Sequence, residues 1–222
     1  MVNKKIIIIG ASGHAKVIID IIEKEKKFLI TGLIDNNKKT GETILGYKII
    51  GKDRNIPQIV KKQQIYGAII AIGDNWTRKI VAEKIKKLIP ALKFITAIHP
   101  SAQIGKSVKI GDGTAIMAGA IINPGSTIKK HCILNTKSSL DHDCVMEAFS
   151  SLAPNATTGG NVKIGRYSAI SIGANIIHGI SIGEHSIVGA GSVVLKNIPV
   201  LTIAYGVPAK IIRSREIGQK YL

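Results

Sequence analysis

The chain has 222 residues, room for one large domain or two small ones, and with 45% apolar and only 20% charged residues it is not an intrinsically disordered polymer. A net charge of +17 invites a nucleic-acid partner, yet the lysines are scattered, aromatics make up 4% and do not interleave with them, and no nucleic-acid motif is present. The same positive field suits small polyanions such as nucleotide sugars or coenzyme A. There is no run of about 18 apolar residues to span a bilayer, and the start is too brief for a signal peptide, so a cytoplasmic protein without membrane insertion is expected.

From the N-terminus, Lys5-Ile6-Ile7-Ile8-Ile9 reads as a buried strand, followed by the turn Gly10-Ala11-Ser12-Gly13-His14-Ala15. A helix opens near Ala15 and places Val17, Ile18, Ile21 and Ile22 at helical spacing. A second strand over residues 29–34 ends in Asp35-Asn36-Asn37, and a third over 67–72 ends in Gly73-Asp74-Asn75. A further helix is expected from about residue 77 to 88. Residues 1–97 therefore predict a Rossmann-like α/β domain in a β-α-β-β-α-β arrangement, with a glycine-rich turn at a strand's carboxyl end, where helix amides hold phosphates. The glycine spacing is not the dinucleotide one, and the domain has about half the strands of a dinucleotide fold. A mononucleotide-sized ligand such as the UDP part of a nucleotide sugar fits better than NAD.

From Ile98 the period changes. Every sixth residue up to Val194 is aliphatic at sixteen of seventeen positions, Thr158 being the exception. The residues four places later are small or β-branched, from Ala102 and Val108 through Cys132 and Cys144 to Ser186 and Ser192. Neither a 3.6 nor a 2.0 period yields this pattern. One large and one small inward residue per six describes a triangular coil, three short strands to a turn, with coils stacked at about 4.8 Å. The register is unbroken, so no long loop is inserted. Cys132 and Cys144 then read as small buried hydrophobes, not as a disulfide or metal pair.

Three features acquire meaning from their order: the turn Ile9-Gly10-Ala11-Ser12-Gly13-His14, the junction Ile98-His99-Pro100-Ser101-Ala102 leading into the hexapeptides, and the tail Gly206-Val207-Pro208-Ala209-Lys210. Over essentially its whole length the chain resembles the hexapeptide-repeat sugar acyltransferases of the PglD and NeuD type, N-acetyltransferases of UDP-4-amino sugars and O-acetyltransferases of sialic acid. The resemblance implies a left-handed parallel β-helix and a homotrimer with sites between subunits. It further implies acetyl-CoA as acyl donor, a nucleotide sugar as acceptor, and no metal. The division implied is 1–97 for the nucleotide sugar, 98–198 for the β-helix and 199–222 for a tail closing over coenzyme A.

In this family a histidine in mid-helix, followed by an acidic residue, is the general base; the match is Asp141-His142-Asp143. The chemistry is sound on its own terms, since histidine titrates near working pH and a neighbouring carboxylate stabilises the imidazolium that forms. His142 falls near a corner and is expected to point outward. The resemblance places Gly10, Ser12, Gly13, His14, Asp35, Asn36, Gly73, Asn75 and Asn135 around the nucleotide sugar. It places Ser151, Gly160, Ala174, Gly191, Pro208 and Lys210 around acetyl-CoA. Some relatives carry a second histidine where this chain has Ser151, so the stabilisation of the oxyanion is open. His178, two coils above His142, is expected about 10 Å away along the stack. His131 and His185 are expected as exposed corner residues, and His99 as structural. The function expected is acetyl transfer to the amine of a nucleotide-linked, UDP-type amino sugar in glycan biosynthesis. The rivals are O-acetylation of sialic acid or a related sugar, a zinc enzyme using stacked histidines, and a non-catalytic binding scaffold.

Overall fold

The computed structural model describes residues 4–221. The first region is a three-layer α/β unit. Strand β1 (Lys4–Ile9) is followed by α1 (Gly13–Glu25), β2 (Phe28–Ile34), β3 (Thr43–Ile44), β4 (Tyr47–Gly51), α2 (Ile56–Gln63), β5 (Gly67–Ile70), α3 (Asn75–Leu88) and β6 (Lys93–Phe94). The sheet order is β3-β4-β2-β1-β5-β6, parallel except for the β3–β4 hairpin. Helices cover both faces of β1, so Ile6, Ile7, Ile8 and Ile9 are all buried, as a continuous apolar run in a parallel strand requires. Each fully buried isoleucine contributes about 1.5–3 kcal/mol from surface removed from water. Helix α3 starts two residues before its expected position because Asp74 caps it, its Oδ1 accepting the N–H of Thr77 at 2.8 Å.

The second region is a triangular β-helix. Strands of two residues pair in parallel with the strand eighteen positions on, as in Ala115↔Ile133, Ile121↔Ser139 and Thr127↔Val145. Three sheets of eight, six and five strands form the faces, and no loop interrupts the coils. The column of small inward residues has a stitching role that its hydroxyls explain. Ser168 Oγ donates to Gly183 O at 2.6 Å and accepts from Ser186 N at 2.9 Å; Thr114, Ser126 and Ser186 repeat the pattern. A hydroxyl thus satisfies a carbonyl and an amide that the corner leaves unpaired inside the core. Cys132 and Cys144 are buried in the core, as expected. The chain then forms a hairpin, Thr202–Gly206 with Ala209–Ser214, that extends the eight-stranded face.

The three faces are not equivalent. On the eight-stranded face Ala97, Ala115 and Ile133 point outward, and all are buried against α1 and the α/β core. The five-stranded face presents Lys109, Thr127, Val145, Lys163 and Ser181. The six-stranded face presents Gln103, Ile121, Ser139, Thr157, Asn175 and Val193, a column without a charge.

His131 and His185 depart from the expectation that they are exposed: both are buried. With Phe149 and Tyr167 they form a column at one corner, one residue per coil, each in the left-handed region at φ of 56–61°. Ring centroids are 4.8 Å apart for His131–Phe149, 5.9 Å for Phe149–Tyr167 and 4.5 Å for Tyr167–His185, and Trp76 of α3 packs on the upper two. The reason is α3, which lies over this corner. Burial, then the charges of Arg78 and Lys130, push the His131 imidazole down to about 3, so it is a neutral packing ring.

Arg78 pins α3 to the column. Its side chain is fully buried and donates to five oxygens: Nε to His131 O (3.0 Å), Nη1 to Ile72 O (2.9 Å) and Gly73 O (2.8 Å), and Nη2 to Asn75 Oδ1 (2.6 Å) and Phe149 O (3.2 Å). Asn75 in turn donates to Ser151 Oγ at 3.1 Å and Ser168 O at 3.0 Å. One guanidinium fork therefore joins the carboxyl end of β5, the start of α3 and two coils of the β-helix.

Candidate active site

His142 stands at the corner between the six- and five-stranded faces. The turn that carries it is braced from all sides. Asp143 N donates to Pro124 O, and Asn161 N donates to His142 O. The Asp141 carboxylate accepts Asn123 Nδ2 at 2.6 Å and the N–H of His142 at 2.8 Å. These hydrogen bonds, that of Asn123 foremost, hold the carboxyl of half-buried Asp141 below its ordinary value. Asp143 adopts φ 56° and turns its carboxylate back onto the ring, where His142 Nδ1 and Asp143 Oδ2 are 2.9 Å apart. That hydrogen bond is the main cause raising the His142 pKa above 6.5, ahead of the nearby carboxylate charges.

Two glycines make room for this pair. A methyl on Gly125 would overlap the Asp143 carboxylate, and one on Gly160, a coil above His142, would overlap His142 Nε2. His142 points outward as expected. The ring leans over Gly160 toward His178, leaving the centroids 6.2 Å apart. That is closer than coil spacing alone implies, because side chains at a corner tilt along the stack, but it is beyond hydrogen-bond reach.

A second feature lies on the side of the α/β domain. At the carboxyl ends of β1, β2 and β5, Gly10 adopts φ +107°, where any Cβ would press on Ala71 O. Asp35 Oδ2 accepts the N–H of Ala11 at 2.9 Å, and its Oδ1 accepts the N–H of Asn37 and Lys38. Asp35 thus shapes the glycine-rich turn that leads to Ser12, the residue before α1, and Gly13, its first residue. Next to this turn is a cavity of about 260 Å³ whose lining includes His14, Gly73, Asn135, Ser151, Ile170 and Tyr221. His14 Nε2 is enclosed there, with no hydrogen-bond partner among the described residues. Burial, then the charge of Arg78, lowers the imidazole to about 4, so His14 is neutral.

The anticipated residues are therefore sorted into groups. His14, Gly73, Asn135 and Ser151 line the α/β-side cavity, while Gly10, Ser12 and Gly13, with Asp35 bonded to it, form the turn that leads to His14. Asn36 exchanges two hydrogen bonds with Asp53, and Asn75 is buried in the Arg78 network, so both amides are engaged within the protein. Ala174 points into the β-helix core, with its N–H on Ser171 O and its carbonyl on Thr157 N, which leaves it no group for a thioester. Gly160 lies against the His142 ring from the next coil up, Gly191 is exposed on a corner at φ 65°, and Pro208 and Lys210 lie on the exposed hairpin. His142 and Asp143 do not line the cavity; they occupy the next corner of the triangle.

Sequence reasoning missed Arg78, Trp76, Tyr221 and the aromatic column. The signal was there, since His131, Phe149, Tyr167 and His185 recur every third hexapeptide and mark one corner out of three. No helix among the described residues is long and apolar enough to cross a membrane.

Residues 5–85 match the family model of the PglD N-terminal domain. The chain is 38% identical over 117 residues to a UDP-N-acetylbacillosamine N-acetyltransferase of Bacillus subtilis and 33% identical over 135 residues to a serine acetyltransferase of Buchnera aphidicola. These matches take in 52% and 58% of the chain, respectively. The chain spans about half the length of the curated relatives it matches, 52% of the first and 44% of the second. Among solved structures, PerB of Caulobacter crescentus, in complex with CoA and GDP-perosamine, superposes with a TM-score of 0.88 at 35% identity, over 96% of this chain and 99% of that one. The acetyltransferase domain of PglB from Neisseria gonorrhoeae superposes with a TM-score of 0.88 at 31% identity, over 95% and 100% of the two chains. With an α/β domain joined to a left-handed β-helix along its full length, the chain belongs to the PglD-like hexapeptide-repeat sugar acyltransferases.

Proposed function

We propose that the protein transfers the acetyl group of acetyl-CoA to the amine of a nucleotide-linked amino sugar, with His142 as general base. The observation that carries this reading is the His142–Asp143 pair: a carboxylate on Nδ1 fixes the tautomer and leaves Nε2 to take a proton. The amine attacks the thioester carbonyl, a C–N bond forms and the C–S bond breaks. The proton passes from nitrogen to His142 and then to the departing thiolate. Backbone amides are the proposed oxyanion donors. A covalent serine route has no support: Ser150 is buried and donates to Glu147 O, and Ser151 is bonded by Asn75.

The α/β-side cavity is the proposed seat of the nucleotide sugar, with neutral His14, Asn135 and Ser151 as polar contacts. The hairpin of Pro208 and Lys210 is the proposed cover for coenzyme A, with Gly160 and Gly191 on its path. These assignments go with the division into residues 1–97, 98–198 and 199–222. The cavity and His142 stand on different corners of one chain. This favours a homotrimer in which one copy's corner meets another's cavity, and the uncharged six-stranded face is the surface suited to close it. The relatives carry different nucleotides in their names, so the base is chosen by experiment. Thiol release from acetyl-CoA with UDP-, GDP- and dTDP-linked amino sugars is expected for one of them. Release with free sialic acid alone would replace this reading with O-acetylation.

Two further outcomes follow from the geometry. Gly160→Ala is expected to lower kcat by about 10- to 100-fold, because the methyl displaces the base by a fraction of its working distance. Its melting temperature should hold, since Gly160 has no left-handed φ to strain and the clash falls on a movable ring. Equal loss of stability and rate would contradict this. The base works only when neutral, so kcat/KM should rise with pH through a limb above 6.5, the ordinary histidine value. In Asp143→Asn the carboxylate that is the main cause of the upward shift is gone, and the limb should move to lower pH while the plateau falls. A limb that stays in place would contradict the pairing.

A further inference from the structure

Thr158 is the one residue in the column of large inward positions that is not aliphatic, and it sits where the sheet itself changes. Along the β-helix, the residue after each inward aliphatic donates its N–H to the backbone carbonyl of the aliphatic one coil on: Asn123 to Leu140 O, Asn135 to Leu152 O, Glu147 to Ile164 O, Gly159 to Ile176 O. At Asp141 the rule is broken. Its N–H donates to the Thr158 side chain, Oγ1, at 3.2 Å. Pairing between these two strands is carried by Ser139↔Thr157 without the Leu140↔Thr158 partners that the other coils show. The carbonyl of Asp141 accepts Ser126 Oγ at 2.7 Å, the stitching bond that Thr114 and Ser168 also make at their corners. The peptide groups of the residue before His142 are therefore held by two hydroxyls from inside the solenoid.

We infer that Thr158 is a positioning residue: its hydroxyl takes the place of a ladder carbonyl beneath the Asp141 N–H, and so sets the height of the His142 ring on an otherwise regular corner. A valine of the same shape has no oxygen for the Asp141 N–H. A buried amide left without a partner costs enough that the strand is driven back to the regular ladder bond, and the His142–Asp143 pair moves with it. This inference rests on His142 being the base.

The experiment compares Thr158→Val, Thr158→Ser and His142→Ala in the full chain, with acetyl-CoA and the accepted amino-sugar nucleotide, together with melting temperatures and the His142 ring titration followed by NMR. For Thr158→Val we expect kcat to fall by about 10- to 100-fold with KM for acetyl-CoA little changed, and the His142 titration to shift toward that of an unpaired histidine. Thr158→Ser keeps the oxygen and should restore both. Wild-type kcat and titration in Thr158→Val would overturn the inference, as would a serine variant as impaired as the valine, which would make packing the cause. If His142→Ala remains active, the base assignment fails instead. The titration of the valine variant then decides on Thr158 by itself.

Discussion

His142→Ala is expected to lower kcat by about 10²- to 10⁴-fold, the usual share of a positioned general base, while acetyl-CoA binds with near wild-type affinity. The ring is exposed on a corner and braces nothing: its ring makes one hydrogen bond, to Asp143. The turn is held by Asp141, Asn123, Pro124 and Asn161 through groups that alanine leaves untouched. Loss of rate should therefore come without loss of melting temperature, as for surface substitutions away from core features. His142→Asn offers a polar group at the same place but no group that titrates near neutrality, so it should be about as inactive as alanine. A variant that retains rate would remove the histidine from the chemistry. One that loses rate and acetyl-CoA affinity together would make it a binding residue.

Arg78→Ala is the substitution with the largest expected effect on stability. It strips hydrogen bonds from the carbonyls of His131, Phe149, Ile72 and Gly73 and opens a void where α3 meets the aromatic column. Each bond from a charged donor is worth about 1.5–3 kcal/mol, offset in part because the cation no longer has to be desolvated. A net loss of about 3 kcal/mol corresponds to a fall in melting temperature of roughly 6–12 °C for a chain of this length. Arg78→Lys should recover little, since an ammonium cannot reach a fan of five acceptors. Because the fork also fixes Asn75 against Ser151 and Gly73 beside the cavity, the acceptor KM should rise in whatever fraction stays folded. A melting temperature within about 2 °C of wild type would show that packing of Trp76, Phe149 and Tyr167 suffices without it.

How far these features could be read in the sequence follows from what each depends on. The β-helix was legible coil by coil, because a period of six with alternating large and small inward residues reports only on the interior, which the chain builds by itself. The outside of the same coils was less legible. His131 and His185 look like corner residues in any hexapeptide, and they are buried because one corner in three lies under α3, which is a tertiary fact. His142 and His178 are separated as the coils dictate along the backbone, but their rings lean together over Gly160, a side-chain matter that spacing does not encode. The resemblance sets Asn75 near the nucleotide sugar, whereas its buried amide serves the contact between domains. Thr158, the one break in the aliphatic column, carried information: a polar residue at an inward position of a strict repeat points to a local need, here the turn that bears His142.

The identity of the product decides whether the acetyl group goes to nitrogen and whether His142 sends it there. Acetyl-CoA and the accepted amino-sugar nucleotide are incubated with the protein, and the product is analysed by mass spectrometry before and after neutral hydroxylamine. The expected product carries one added acetyl group that hydroxylamine does not remove, formed by the wild-type protein and absent with His142→Ala. An acetyl group that hydroxylamine strips would be an ester and would mean transfer to a hydroxyl. An amide formed equally well by His142→Ala would leave N-acetylation standing and contradict the mechanism.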